Sequence, residues 1–181
     1  MRIAVSSDMD EPIARQAVEE LRRRGHAVEV FGALRDGDRA DWAWSAEAAA
    51  RAVASGAADQ AVVCCWTGAG ASMAANKVPG VRAALCGDAY SARGARVWSD
   101  ANALALSLRL LSGGLLGEIL DAWFDAAADG DRDAQDRANI AHLGAIESAP
   151  SAPGAPDAPP APTVKSAPAA GPSAGGASER S

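Results

Sequence analysis

The chain has 181 residues, enough for one domain, and carries a formal charge of −6 at pH 7. An acidic chain without a basic stripe argues against nucleic acid as a partner. The sequence has no apolar run of membrane-spanning length and no charged-then-apolar leader at its N-terminus, which argues against a membrane partner.

The three cysteines, Cys64, Cys65 and Cys86, do not form the framework of a secreted disulfide protein. We therefore expect a cytoplasmic protein with reduced thiols. There is no Cys-x-x-Cys pair and no cluster of Cys and His, because His26 and His142 are the only histidines. The sequence thus argues against a zinc site, and we expect no metal and no cofactor.

The predicted elements alternate between short apolar runs and segments with helical spacing of apolar residues. In chain order, strands are predicted over 2–8, 26–31, 61–65, 80–86 and 102–107, and helices over 13–24, 44–55, 71–77, 89–97, 113–125 and 132–146. This alternation predicts a Rossmann-like three-layer α/β sandwich with a five-stranded parallel sheet. All strand carboxyl ends then share one edge, and we expect Asp8, Cys65 and Asn102 to converge there.

The composition changes near residue 148. Residues 148–181 are rich in Pro, Ala, Gly and Ser and contain no aromatic residue, so they cannot bury enough apolar surface to fold. We expect one folded domain over 1–147 and a disordered tail over 148–181.

The most informative stretch runs from residue 61 to residue 77, as a strand, a small-residue turn and a helix. Cys65 ends the strand and Thr67–Gly70 form the turn. Unpaired N–H groups at the start of a helix favour anions, and a thiol beside them ionises more readily. Two interpretations of Cys65 are open: a reactive thiol beside an oxyanion cradle, or a buried structural cysteine beside a tight turn.

The residues from Cys65 to Cys86 resemble a signature of ribose-5-phosphate isomerase B and the galactose-6-phosphate isomerase subunits. The shared pattern is Cys-x-Thr-Gly-x-Gly-x-Ser-x-Ala-Ala-Asn-Lys-x-x-Gly-x-Arg-Ala-Ala. The likeness extends over nearly all of 1–147, including Ser7-Asp8, Asp100-x-Asn102 and Arg109. It implies a metal-free interconversion of aldose and ketose phosphates through a cis-enediol.

The resemblance also implies roles for particular residues. Cys65 matches the base that moves a proton between C1 and C2, and Asp8 matches a carboxylate that handles hydroxyl protons. Thr67 matches a residue that assists ring opening, and Asn102 one that contacts the sugar. The loop containing Gly68, Gly70 and Ala71 would hold the enediolate through backbone N–H groups. The implied assembly is a homodimer or homotetramer with its sites between subunits.

Several positions depart from the family pattern. Met9 replaces a histidine after the first strand, and Trp98 replaces the ring-opening histidine. Trp42 replaces a tyrosine and Trp66 a glycine beside the expected pocket. Aromatic faces suit the C–H surface of a sugar or a larger apolar group, and an acyclic substrate needs no ring opening. We therefore expect an altered substrate.

The phosphate ligands of the family are partly retained. Arg109 and Arg132 match arginines of the pattern, whereas the second late arginine falls on Asp136, or on Arg137 if the helix shifts by one residue. Arginine is well suited to hold a phosphate. We expect Arg109, Arg132 and Arg137 to contact the substrate.

Two classes of function remain open. The retained Asp8, Cys65, Thr67 and Asn102 favour an aldose–ketose isomerase acting on a sugar phosphate of the ribose 5-phosphate type, with altered substrate. The two missing histidines favour a non-catalytic phosphosugar-binding protein, or an accessory subunit of a mixed oligomer.

Overall fold

The parallel α/β architecture is confirmed by a computed structural model, which describes residues 1–126 and 132–149. Five strands alternate with helices in the order β1 Arg2–Ser7, α1 Pro12–Arg23, β2 Ala27–Gly32, α2 Trp42–Ala54, β3 Gln60–Cys65, α3 Ala69–Ala75, β4 Ala83–Leu85, α4 Ala89–Ser99, β5 Ala103–Ser107, α5 Gly113–Asp125 and α6 Ala134–Ser148. The strands form one parallel sheet in the order β2-β1-β3-β5-β4.

The strand order reverses between β1 and β3, because the chain extends the sheet first towards β2 and later towards β5 and β4. Ser7 pairs with Cys64, and Cys65 pairs with Ser107. Every residue of β3 and β5 is buried, as expected of parallel strands covered on both faces. The carboxyl ends of β1, β3 and β5 therefore meet at one edge of the sheet.

Two hydrophobic layers flank the sheet, which confirms the three-layer sandwich. The layer under α1, α4 and α5 contains large side chains, among them Leu21, Leu104, Leu116 and Trp123. The indole N–H of Trp123 donates to Gln60 Oε1 at 2.7 Å. The layer under α2 and α3 is built from small residues, namely Ala46, Ala49, Ala50, Ala61, Ala71, Ala75, Ala103 and Ala105 among others. Alanines let these two helices lie close to the sheet and to each other.

Most element boundaries differ from the prediction by one or two residues, and β4 differs by more. Helix α2 begins at Trp42 and α3 at Ala69, each two residues earlier than predicted. Helix α6 lies two residues later, over Ala134–Ser148, and none of its residues is buried. Strand β4 is reduced to Ala83–Leu85, because the Asn102 side chain accepts from the Arg82 N–H and donates to the Gly80 carbonyl. These bonds hold the predicted start of the strand in a turn.

Helix α6 ends at Ser148, the first residue of the predicted tail. From residue 150 onward the predicted disordered tail lies outside the described residues, and its boundary stays a prediction. Within 1–126 and 132–149, no helix is long and apolar enough to cross a bilayer.

Candidate functional site

The candidate site lies where β1 and β3 end side by side. Asp8 follows β1 directly, and Cys65 is the last residue of β3. Open parallel sheets bind ligands at this kind of position, outside the carboxyl ends of the strands where the strand order reverses. The two residues expected to move protons are therefore brought to the same point by the topology alone.

The Cys65 thiol lies under the glycine loop. Its side chain is 4 % exposed, and Sγ accepts hydrogen bonds from the backbone N–H groups of Gly68 at 3.1 Å and Ala71 at 3.5 Å. These two donors fix the position of the sulfur at the start of α3. The loop N–H groups, which the family resemblance assigns to an enediolate oxygen, thus point at the Cys65 sulfur in this structure.

Gly68 makes this geometry possible. It caps α3 in the left-handed conformation, with φ of +77°. A Cβ there would lie 2.5 Å from Leu85 Cδ1 and 2.9 Å from the Leu106 carbonyl carbon. Only glycine fits between the loop and β5, so residue 68 both sets the start of α3 and directs its N–H at Cys65.

The Asp8 carboxyl is half-buried beside Cys65. The Ser7 hydroxyl donates to the Met9 carbonyl at 2.6 Å and accepts from the Met9 N–H at 3.3 Å, which fixes the turn around Asp8. Asp8 Oδ1 is buried with no hydrogen-bond partner. Burial raises the pKa of Asp8 above its ordinary value, while hydrogen bonds from its own backbone N–H and from that of Trp66 oppose the rise. The Asp8 carboxyl therefore has one buried oxygen, Oδ1, without a hydrogen bond.

The end of β5 supports the same loop from the other side. The Ser107 hydroxyl donates to the Trp66 carbonyl at 3.0 Å, and the Arg109 N–H donates to that carbonyl at 3.1 Å. The exposed Arg109 side chain is thereby held at the edge that contains Cys65. Thr67, also exposed, lines an apolar cavity of about 180 Å³ with Leu85 and other residues. Ser107 was missed by sequence reasoning, although its register opposite Cys65 could have revealed it.

Two exposed tryptophans lie on segments next to Cys65. Trp66 follows Cys65 directly and is 48 % exposed, and Trp42, at the start of α2, is 46 % exposed. A Cβ added to Gly70 would lie 2.9 Å from Trp42 Cε3, so the indole packs against the glycine loop. Met9, also exposed, follows Asp8. Exposed apolar side chains are therefore the chain neighbours of Asp8 and Cys65, and one of them packs against the glycine loop.

The neighbouring Cys64 belongs to the core. It is 1 % exposed and packs in the layer under α1 and α5, whereas Cys65 packs in the opposite layer. Burial raises the pKa of Cys64 to about 12, so its thiol stays protonated at neutral pH. Cys64 offers a matched comparison for Cys65.

The expected convergence of Asn102 with Asp8 and Cys65 is wrong within one chain. Asn102 precedes β5 and lies at the amino edge of the sheet, where it holds the Gly80–Arg82 turn. Trp98 is close to the same edge, near the end of α4, and it packs edge-on against Tyr90 with ring centroids 5.6 Å apart.

Arg132 and Arg137 lie with this second group. The Arg132 side chain is 9 % exposed and pairs with Asp100 Oδ1 at 2.5 Å. It also donates to the carbonyls of Val97 at 2.8 Å and Arg96 at 3.0 Å, which caps the end of α4. Arg137 is exposed and donates to the Arg132 carbonyl at 2.6 Å. The predicted site residues thus form two groups at opposite edges of the sheet.

Within the two described ranges, no group of three or more His, Cys, Asp or Glu side chains is placed to hold a metal ion. The candidate site at the carboxyl edge contains a thiol, of Cys65, and a carboxyl, of Asp8. Fold and site together define a Rossmann-like α/β protein with a candidate proton-transfer pair at the reversal point of its sheet.

Comparison with known proteins places this architecture in a family. The Ribose/Galactose Isomerase family model matches residues 3–140. The chain is 41 % identical to ribose-5-phosphate isomerase B of Escherichia coli over 132 residues, which are 73 % of this chain and 86 % of that protein. It is 36 % identical to D-erythrulose-4-phosphate isomerase of Pectobacterium atrosepticum over 110 residues, or 61 % and 72 % of the two chains.

A solved structure agrees with the sequence relatives. Ribose-5-phosphate isomerase B of Clostridium thermocellum superposes with a TM-score of 0.73 at 36 % identity, covering 81 % of this chain and 97 % of that one. The chain therefore belongs to the ribose/galactose isomerase family. It is therefore grouped with the aldose–ketose isomerases that act on sugar phosphates.

Proposed function

We propose that the protein isomerises an open-chain sugar phosphate by metal-free proton transfer, with Cys65 as the base. The observation that carries the proposal is the Cys65 sulfur, which accepts two backbone N–H groups beside a carboxyl with an unpaired oxygen. A base and a hydroxyl-proton carrier are the two groups that this reaction requires.

The proposed steps conserve atoms and electrons within the substrate. The Cys65 thiolate removes the proton from C2 of the aldose, and the electron pair moves to form a C1–C2 double bond as the O1 carbonyl becomes a hydroxyl. Asp8 carries the proton between O2 and O1. The Cys65 thiol then returns its proton to C1 while the O2 carbonyl forms, which gives the ketose.

The substrate is proposed to be acyclic because the chain has Met9 and Trp98 where the family pattern has histidines. A four-carbon sugar esterified at O4 has no hydroxyl able to close a five-membered ring on its carbonyl. Such a substrate needs no ring-opening acid. Similarity to an isomerase named for D-erythrulose 4-phosphate supports this class. Arg109 is proposed to bind the phosphate, since its exposed guanidinium lies at the edge that contains Cys65.

The complete site is proposed to form between two copies of the chain. Asn102, Trp98 and Arg137 lie at the edge opposite Cys65, so they cannot contact a substrate at the same chain's thiol. A second copy presenting its own amino edge would bring both groups together in a homodimer or a homotetramer. Arg137, with its exposed guanidinium, is then a second phosphate ligand. The role of Arg132 would be to hold α4 in place.

A second candidate is a non-catalytic phosphosugar-binding protein or an accessory subunit. The commitment of Arg132 to Asp100 and to the end of α4 favours it, because this arginine is then occupied before any phosphate binds. The absence of the two family histidines favours it too.

The two candidates are distinguished by proton exchange in heavy water, followed by NMR. The wild-type protein is mixed with D-erythrulose 4-phosphate, D-ribose 5-phosphate and the corresponding unphosphorylated sugars. Deuterium should enter C1 or C2 of a sugar phosphate with wild-type protein and with Cys64→Ala, and should not enter with Cys65→Ala. The Cys64→Ala variant controls for removal of a thiol from the same strand.

Exchange that persists in Cys65→Ala would remove Cys65 as the base. Binding without exchange by wild-type protein, measured by calorimetry with the same phosphates, would instead establish the binding or accessory function.

A further inference from the structure

The Trp42 indole occupies a position that bears on substrate size. Its ring atoms Cε3, Cδ2 and Cζ3 would lie 2.9, 3.0 and 3.4 Å from a Cβ on Gly70, so the ring packs against the loop backbone. Gly70 lies between Gly68 and Ala71, the two residues whose N–H groups hold the Cys65 sulfur. The indole is therefore adjacent to the segment that positions the base.

Trp42 is only partly covered by this contact, because 46 % of the residue remains exposed. It projects from the first turn of α2, at the edge of the sheet where Cys65 and Asp8 lie. Trp66 stands next to the thiol on the chain and is exposed to a similar extent. Two exposed indoles thus lie on segments next to Cys65, and an indole face offers C–H contacts but no acceptor for a hydroxyl.

We propose that Trp42 limits the substrate to four carbons by occupying the space that a fifth hydroxylated carbon needs. This inference rests on the proposed isomerase function and names the residue that sets its substrate length. A longer sugar phosphate would place an additional hydroxyl against the indole face, where it loses its water without gaining a partner. An apolar wall rejects an added hydroxyl by about 10- to 100-fold.

Two substitutions perturb this wall independently. Trp42→Ala removes it. Gly70→Ala keeps the indole but adds a Cβ 2.9 Å from Cε3, so the ring must move away from the loop. Gly70 lies inside α3 and is not among the glycines with positive φ, so alanine suits its backbone. Trp44→Ala is the matched control, because that indole, 48 % exposed, stacks with the Arg39 guanidinium 3.4 Å from its ring centroid.

The experiment measures kcat/KM for D-erythrulose 4-phosphate and D-ribose 5-phosphate in all four proteins. The wild type should prefer the four-carbon substrate. Trp42→Ala should shift the ratio towards the five-carbon substrate by about 10-fold or more, Gly70→Ala should shift it in the same direction, and Trp44→Ala should leave it unchanged.

The proposal is overturned if the wild type prefers D-ribose 5-phosphate, if Trp42→Ala lowers both values equally, or if Trp44→Ala shifts the ratio as much as Trp42→Ala. Each of these results is obtained with active protein, so the isomerase function would stand. Failure of that function is distinct, because wild-type protein would then exchange deuterium into neither substrate.

Discussion

Gly68→Ala should be the most damaging single-methyl change in the site, and its cost can be worked out from the structure. At φ of +77° an alanine loses about 1–2 kcal/mol relative to glycine. The new Cβ would also lie 2.5 Å from Leu85 Cδ1 and 3.0 Å from the Ser107 nitrogen. Overpacking of this kind costs about 1–3 kcal/mol. The total is about 2–5 kcal/mol of a stability that is typically about 5–15 kcal/mol.

Gly56→Ala separates the two contributions. Gly56 has a closely similar φ of +74°, but a Cβ there meets nothing within 4 Å. This variant should lose only the conformational cost of about 1–2 kcal/mol. The difference between the two variants then measures the contact of residue 68 with β5 and Leu85.

Urea unfolding, followed by tryptophan fluorescence and far-ultraviolet circular dichroism, gives both free energies of unfolding. Deuterium exchange into the substrate is measured on the same two variants. Movement of the Gly68 N–H away from the Cys65 sulfur should slow the reaction about 100-fold, by analogy with loss of one preorganised donor. If Gly68→Ala is no less stable than Gly56→Ala, or exchanges deuterium at the wild-type rate, the structural argument for residue 68 fails.

Three further predictions concern charged groups. Burial raises the pKa of Asp8 above its value in the unfolded chain. The folded protein therefore loses stability as the pH rises from the unfolded pKa to the higher folded pKa, because the buried carboxyl must ionise. Asp8→Asn should raise Tm at neutral pH and abolish deuterium exchange, and an unchanged Tm would contradict the burial penalty. Arg132→Gln should lower the free energy of unfolding by about 2 kcal/mol, because charged hydrogen bonds to Asp100 and to backbone carbonyls are lost. A change below about 0.5 kcal/mol, which is usual for a surface substitution, would refute the capping role. Arg109→Gln should raise KM for phosphorylated substrates with stability within about 0.5 kcal/mol of wild type, whereas an equal loss for unphosphorylated sugars would argue against phosphate binding.

Much of the fold follows from local patterns, because the buried strands β1, β3 and β5 are short apolar runs and α5 has an apolar face. The prediction failed at β4, where the apolar run 80–86 yields three residues of strand. The turn at its start depends on the Asn102 side chain, about twenty residues away in sequence. No local pattern contains that contact.

The site was predicted well where chain topology decides it and poorly where long-range pairing does. The proximity of Asp8 and Cys65 follows from parallel strands that end at one edge. Asn102 was assigned to the same edge, although a residue that precedes its strand lies at the other. The capping role of Arg132 could not be foreseen, since it depends on Asp100 and on the geometry at the end of α4.

Cys65 and Asp8, the proposed proton-transfer groups, are held by the backbone, which explains how side chains around them can differ from the family pattern. The Cys65 sulfur accepts hydrogen bonds from two main-chain N–H groups. The N–H of Trp66 opposes the rise in the pKa of Asp8, and the carbonyl of Trp66 accepts a hydrogen bond from the Ser107 hydroxyl. Residue 66 performs these tasks through its main chain, so a tryptophan serves there as well as the glycine of the family pattern. The same holds for Met9, whose backbone bonds to the Ser7 hydroxyl define the turn. Substitutions at these positions therefore alter the side chains around the candidate site without moving Asp8 or Cys65. On the proposed mechanism, they bear more directly on which substrate is bound than on the proton transfer itself.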